Sequence, residues 1–322
     1  MSQLRGAIEG QPAALEALSN LDVEVPAAQL STAERCFLVG TGTSQHAAEL
    51  GALFLRRSGR EAYAFGGSAF LASPPRLSAR DAAIVISHTG ETAYARSARR
   101  LIGRSKATLI AITGEGSGWD EAIEVAARES SETYTASYLA ALYAIGLLAS
   151  ALDGAPFGRG ALTEVPGRVS DALGASALEI KGSERLIVLT GAGCSAVTAR
   201  EGALKLREAA RLVTQGFDAE FLLHGSAVPL GEDDRLVLVD PGGDPSGLTR
   251  ALGDAAAAEG VAVSRVEPLI RSDPYLDQFE LTVRVQLAAA RLAEARGYDP
   301  DAVIRGAWED EVLWGAGGED RS

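Results

Sequence analysis

Hydroxyls and glycines gather at two places in the first half of the chain. Gly40-Thr-Gly-Thr-Ser44 follows the apolar run Cys36–Val39, and Ser87-His-Thr-Gly-Glu-Thr92 follows the apolar residues 82–86. A helix-like pattern comes after each. A strand ending in glycine and hydroxyls just before a helix makes an anion cradle, because the first helical amides are unpaired and the hydroxyls add neutral donors. The same residue types also make an ordinary N-cap and turn. If the two turns leave adjacent strands, Thr43, Ser44, Ser87, Thr89 and Thr92 could surround a phosphate with no Lys or Arg. Neither turn is a Walker loop, since no Lys follows the glycine, and neither has full GxGxxG spacing. ATP and NAD are therefore not expected.

The second half holds charged candidates. In Glu201-Gly-Ala-Leu-Lys-Leu-Arg-Glu208, positions 201, 205 and 208 share one helical face. An exposed ion-pair stripe explains that spacing equally well. Glu220 and His224 stand one helical turn apart, but no third ligand is near and the HExxH order is absent, so no metal is expected. His224, just before Gly225, also suits the end of a short helix. The histidines are His46, His88 and His224, and no GxSxG elbow occurs, which argues against a Ser–His–Asp hydrolase.

These residues need a scaffold. A lead-in helix is expected over 4–18. Strands at Cys36–Val39, Ala62–Phe65, Ala83–Ser87, Ala107–Thr113 and Ile123–Ala127 alternate with helices at Ser44–Arg57 and Thr92–Gly103. An apolar helix follows at Tyr138–Leu152. Gly154–Gly160 reads as a linker. The pattern then restarts with a helix over 161–180, strands at Leu186–Leu189, Leu236–Val239, Val261–Val266 and Leu281–Val285, and helices at Ser195–Leu212 and Gln286–Arg296. Such alternation predicts parallel sheets with helices on both faces.

The restart is an internal repeat. Gly40, Gly42 and Ser44 precede Gly191, Gly193 and Ser195 by a constant 151 residues, and Gly51–Arg57 falls on Gly202–Glu208. Glu34-Arg35 matches Glu184-Arg185 at one residue less. Two copies of a strand–turn–helix unit predict two similar domains. Where the copies differ in charge, as where Phe54 and Arg57 become Lys205 and Glu208, a specialised role is possible.

The bulk numbers set limits. A chain of 322 residues with 47% hydrophobic and 23% charged residues is globular and long enough for two domains. A formal net charge of -13 repels nucleic acid and anionic membrane, though not an anionic substrate held in a local pocket. Two cysteines, Cys36 and Cys194, and no secretory signal point to a reduced, cytoplasmic protein. The run Tyr138–Leu152 falls short of the roughly 20 residues a membrane span needs, and predicts a helix sandwiched in a core or subunit interface.

GTGTS at 40–44, SHTGET at 87–92, EGALKLRE at 201–208 and ExxxHG at 220–225, in that order, together with Gln11-Pro12, resemble the sugar isomerase (SIS) family. The resemblance is strongest to the isomerase half of glucosamine-6-phosphate synthases. It covers nearly the whole chain. It implies two tandem SIS domains, each a flavodoxin-like three-layer αβα sandwich: a lead-in helix at 1–22, a phosphate-gripping domain at 23–158, an acid–base domain at 159–296 and a tail at 297–322. It further implies phosphate binding by Ser44, Ser87, Thr89 and Thr92, with Thr43, proton transfer by Glu208 assisted by Lys205, and ring opening by His224 supplied from a neighbouring subunit of a homodimer. His88 stands where the family commonly has glutamine, and is expected to alter the anion or sugar accepted.

Two departures shape the expected activity. No glutaminase domain or N-terminal nucleophilic cysteine is seen, so glutamine-dependent synthesis is not expected. Trp308 takes the place of the tail lysine that forms an imine, and no lysine follows Lys205. The expectation is a cofactor-free phosphosugar aldose–ketose isomerase working through an enediol or enolamine. The alternatives are an amino-sugar-phosphate deaminase, a fructosyl-amine 6-phosphate deglycase, or a sugar-phosphate sensor without catalysis.

Overall fold

The computed structural model describes residues 2–176, 178–180, 183, 185–240 and 242–316. Helices α1 (Gln3–Glu9), α2 (Gln11–Leu18) and α3 (Glu24–Thr32) lead in, followed by β1 (Arg35–Gly40), α4 (Thr43–Arg57), β2 (Glu61–Gly66) and α5 (Gly67–Ala72). Then come β3 (Asp81–Ser87), α6 (Ala93–Gly103), β4 (Thr108–Gly114), β5 (Ala122–Ala126) and α7 (Ala136–Ser150). The pattern renews with α8 (Arg159–Thr163), α9 (Val165–Gly174), β6 (Ile187–Gly191), α10 (Cys194–Ala210), β7 (Thr214–Asp218) and the single turn α11 (Ala219–Phe221). It finishes with β8 (Arg235–Val239), α12 (Leu248–Ala258), β9 (Ala262–Val266), α13 (Asp277–Arg296) and α14 (Glu311–Gly315).

The chain divides into two compact units. One gathers Gln11–Glu129, Ala136–Glu164 and Ile304–Ser322, and the other gathers Met1–Gly10, Ser130–Thr135 and Val165–Val303. The first contains a five-stranded parallel sheet ordered β2-β1-β3-β4-β5. β3 is buried along its whole length, as its unbroken apolar run requires of a strand covered on both faces. On one side Phe37, Val39, Phe70, Ala83, Val85, Ala98 and Ile102 form a core. The other side is closed by α4 and α7. Gly51 on α4 gives the close approach, since a Cβ there would stand 2.8 Å from Ile145. The expected sandwiched helix is thus found, buried over Ser137–Ala149.

The second unit contains a four-stranded parallel sheet ordered β7-β6-β8-β9. Gly202 on α10 repeats the device of Gly51, with a Cβ there falling 2.7 Å from Val285 on α13. Both sheets are also pinned at their amino edges by an arginine–aspartate pair. Arg35 bonds Asp81 through two nitrogens at 2.8 and 2.9 Å, and Arg185 bonds the buried Asp234. The matched arginines of the repeat therefore share a structural duty, whereas Glu184 lies outside the described residues.

Several expectations need correction. Leu281–Val285 is not a strand but the middle of the 20-residue helix α13. Its β-branched residues suit a strand, but burial from 277 to 290 on nearly every side explains the apolar run equally well. The lead-in helix is broken at Gly10, and α3 follows it with Pro26 in its first turn, where the missing N–H costs nothing. The helix expected over 161–180 is two short ones ending at Gly174. β7 and α5 carry too little periodicity to be foreseen.

Candidate functional site

In the five-stranded sheet the chain leaves β1 for β2 on one side, while β3 lies on the other. The crevice beyond the carboxyl ends of β1 and β3 is therefore a topological switch point, where open α/β sheets bind ligands. Both hydroxyl-rich turns leave from here. Gly40 ends β1 against the turn it starts, and a Cβ there would stand 2.2 Å from the Ser44 carbonyl oxygen. Gly42 takes φ 59°, ψ -129°, a conformation suited to glycine, and presents the start of α4 with no side-chain cap. Thr92 precedes α6, likewise with no side-chain cap. Thr43 and Ser44 stand in the first turn of α4, and Ser87 ends β3, 4% exposed. Thr89 Oγ1 accepts the Glu91 N–H at 3.1 Å, which leaves its own proton to donate.

His88 is half-buried within this turn. Its Nε2 accepts the backbone N–H of Glu129 at 3.0 Å, and its ring lies against Gly114, whose backbone N–H donates to the His88 carbonyl at 2.8 Å. Burial pushes the imidazole below its usual pKa, with Arg128 acting the same way and Glu129 opposing. Arg128 donates to the Thr89 carbonyl at 3.1 Å and to the Glu91 carboxylate at 2.7 Å. The Glu129 carboxylate accepts from the amides of Ala136 and Ser137 at the start of α7. Sequence reasoning missed Arg128 and Glu129. Glu129 stands seven residues ahead of α7, outside the spacing of a capping box.

The four-stranded sheet repeats the first turn with different contents. Gly193 takes φ 58°, ψ -123°, nearly the values of Gly42, and Gly191 again meets the backbone of Ser195. Here, however, the Ser195 hydroxyl accepts from Gln278 at 3.2 Å, and buried Gln278 also bonds Thr198 and the Pro274 carbonyl. Asp240, following β8, is buried at φ 48° and paired with Arg271. Burial pushes its carboxyl up, against the pull of Arg271. In this turn the Ser195 hydroxyl is already held by the protein's own Gln278 side chain.

Glu201, Lys205 and Glu208 do not form an exposed stripe. Glu201 and Lys205 are 0% and 1% exposed, and the Glu208 side chain is 22% exposed. Lys205 Nζ donates to Glu208 Oε2 at 2.6 Å and to the Tyr134 carbonyl at 2.8 Å, and lies 3.5 Å from Glu201. Burial pushes the Glu208 carboxyl above its usual range. Lys205 offsets part of that rise and Glu201 adds to it. A carboxylate moved toward neutrality beside a fixed ammonium can take a proton and return it, with the ammonium steadying a developing oxyanion.

His224 is placed differently. The turn Leu222–Ser226 is broken at His224 (φ -80°, ψ 55°) and Gly225 (φ 98°). The His224 side chain is 73% exposed, 3.8 Å from the equally exposed Glu220. Phe221, Leu223 and Val228 beside it are 62%, 55% and 84% exposed.

The SIS domain family matches residues 29–151. The glutamine–fructose-6-phosphate aminotransferase (isomerizing) of Methanothermobacter thermautotrophicus is 30% identical over 300 residues, covering 85% of this chain and 51% of that protein. The chain thus spans about half the length of this relative. Among solved structures, tagatose-6-phosphate ketose/aldose isomerase from Escherichia coli superposes with a TM-score of 0.80 at 18% identity, covering 96% of this chain and 97% of that one. Glucosamine-6-phosphate deaminase from Thermotoga maritima gives 0.78 at 19% identity, covering 93% and 97%. At these identities the structures share the fold. Among the described residues, no helix is long and apolar enough to cross a membrane.

Proposed function

We propose that this chain, which carries a SIS domain over residues 29–151, is a phosphosugar aldose–ketose isomerase. The observation that carries the reading is the pair formed by buried Lys205 and half-buried Glu208, whose carboxyl is held above the usual range by its surroundings. Thr43, Ser44, Ser87, Thr89 and Thr92 hold the phosphate by hydroxyls and helix amides. Glu208 takes the proton from C2 of the open aldose and returns it at C1, while Lys205 steadies the enediolate oxygen.

His224 opens the ring. A histidine this exposed in its own chain, among exposed apolar side chains, reaches a sheltered sugar when a second copy lends it, so the working form is a homodimer. An amine on C2 would pass through the same proton transfer and then lose ammonia by hydrolysis. That deaminase chemistry is the neighbouring possibility. Residues 206–316 hold no lysine to form an imine, which favours plain isomerisation.

The test is a panel of aldose, ketose and amino-sugar phosphates incubated in deuterated water. Ketose formation with deuterium entering at C1 or C2 is expected. Ammonia release from an amino-sugar phosphate would replace the isomerase with a deaminase. Melting shifts across the panel with no exchange and no product would leave a sensor.

A further inference from the structure

Five hydrogen bonds join the turn Ser87–Thr92 to the two residues Arg128 and Glu129, or join Glu129 to α7. Arg128 holds the Thr89 carbonyl and the Glu91 carboxylate. The Glu129 amide donates to His88 Nε2, and the Glu129 carboxylate caps Ala136 and Ser137. The Arg128–Glu91 pair is solvent-exposed, with side chains 47% and 67% accessible, so it holds weakly. The bond at His88 is the sheltered one. Only a ring nitrogen without a proton can accept it, so the neutral imidazole carries its proton on Nδ1.

We propose that His88 is a positioning residue of the anion turn, an uncharged strut that fixes the turn to Glu129 and releases it when the ring gains a second proton. This rests on the reading of the turn as an anion cradle. Protonated Nε2 would face the Glu129 N–H donor to donor. The charged groups that bear on the ring are Glu129, which favours protonation, and Arg128, which opposes it. The β4 side offers uncharged Gly114, and Glu91 of its own turn is engaged by Arg128. Anion binding at this turn therefore weakens in acid, although an added positive charge would by itself draw an anion closer. The same reasoning makes glutamine at this position a working substitute, because its amide oxygen can accept the Glu129 N–H.

The experiment measures sulfate affinity of the full chain between pH 5 and pH 8 by titration calorimetry, because sulfate keeps its charge across that range. The wild-type protein, His88→Gln and His88→Leu are compared. At pH 8 His88→Gln should bind within about threefold of wild type, and His88→Leu should lose about tenfold or more, the cost of a buried amide left without an acceptor. From pH 8 to pH 5 the wild-type affinity should fall, and that of His88→Gln should stay flat. Equal affinity of His88→Leu and wild type, or parallel pH profiles for wild type and His88→Gln, would overturn the strut. Should His88→Leu not fold, the comparison of those two profiles decides alone. Absence of sulfate binding in wild type, with phosphosugars also failing to shift its melting, would overturn the cradle itself, a different result from a cradle that binds without regard to His88.

Discussion

Lys205 Nζ stands 2.6 Å from the Glu208 carboxylate, one turn away on α10, and is fixed from behind by the Tyr134 carbonyl and Glu201. The pair is therefore held in one geometry, and burial holds the Glu208 carboxyl above its usual range. Glu208→Gln should lower kcat by about a hundred- to ten-thousandfold, with phosphosugar affinity nearly unchanged. The same variant should gain stability relative to wild type as the pH rises. The folded-state pKa of Glu208 is raised, so ionising it opposes folding; that cost starts above the usual carboxylate pKa and is complete above the raised one. Thermal melting at pH 4 and pH 8 should show the variant gaining on wild type only at the higher pH. Full turnover by Glu208→Gln would remove the residue from the mechanism.

Gly40→Ala should disable the anion cradle. Its new Cβ would stand 2.2 Å from backbone of Ser44, which cannot yield as a flexible side chain could. The expected cost is at least about 2 kcal/mol of stability, with loss of phosphosugar binding. Denaturant unfolding and melting shifts would check both.

His224→Ala should leave stability within about 0.5 kcal/mol, because the side chain is largely in water. Turnover of cyclic phosphosugars should fall, and turnover of short sugars that cannot close a ring should not. Equal losses on both would assign His224 to something other than ring opening.

Arg271→Ala should destabilise the second unit by about 2 kcal/mol by leaving the buried Asp240 carboxylate without its partner. Asp240→Asn in the same background should restore most of that loss. A double-mutant cycle on chemical unfolding would measure the recovery.

The parts of the molecule that could be read beforehand are those where local chemistry and fold agree. The Gly40 and Gly191 turns needed glycine for a close approach, and the repeat exposed them. The run ending at Ser87 had the length and composition of a strand covered on both faces. Leu281–Val285 misled because a helix buried all round loses the 3.6-residue rhythm that distinguishes it from a strand. The burial of Lys205 was hidden for a related reason. The spacing of 201, 205 and 208 shows that they share a face, and only the structure, where Lys205 is 1% exposed and meets the Tyr134 carbonyl, shows that the face is covered. Arg128 and Glu129 act through backbone groups far along the chain, and no spacing rule announces such partners.

The Ser195 turn of the four-stranded sheet has a consequence for counting. Two sheets with matching glycine turns would ordinarily offer two equivalent mouths, yet Gln278 already holds the Ser195 hydroxyl with which the second would greet a guest, and Asp240 after β8 puts a carboxylate, paired with Arg271, where the first sheet has none. Saturation should come at a single anion for each polypeptide. Clearing the obstruction with Asp240→Ser and Gln278→Ala should raise that stoichiometry towards two, turning a vestige of symmetry back into a receptor.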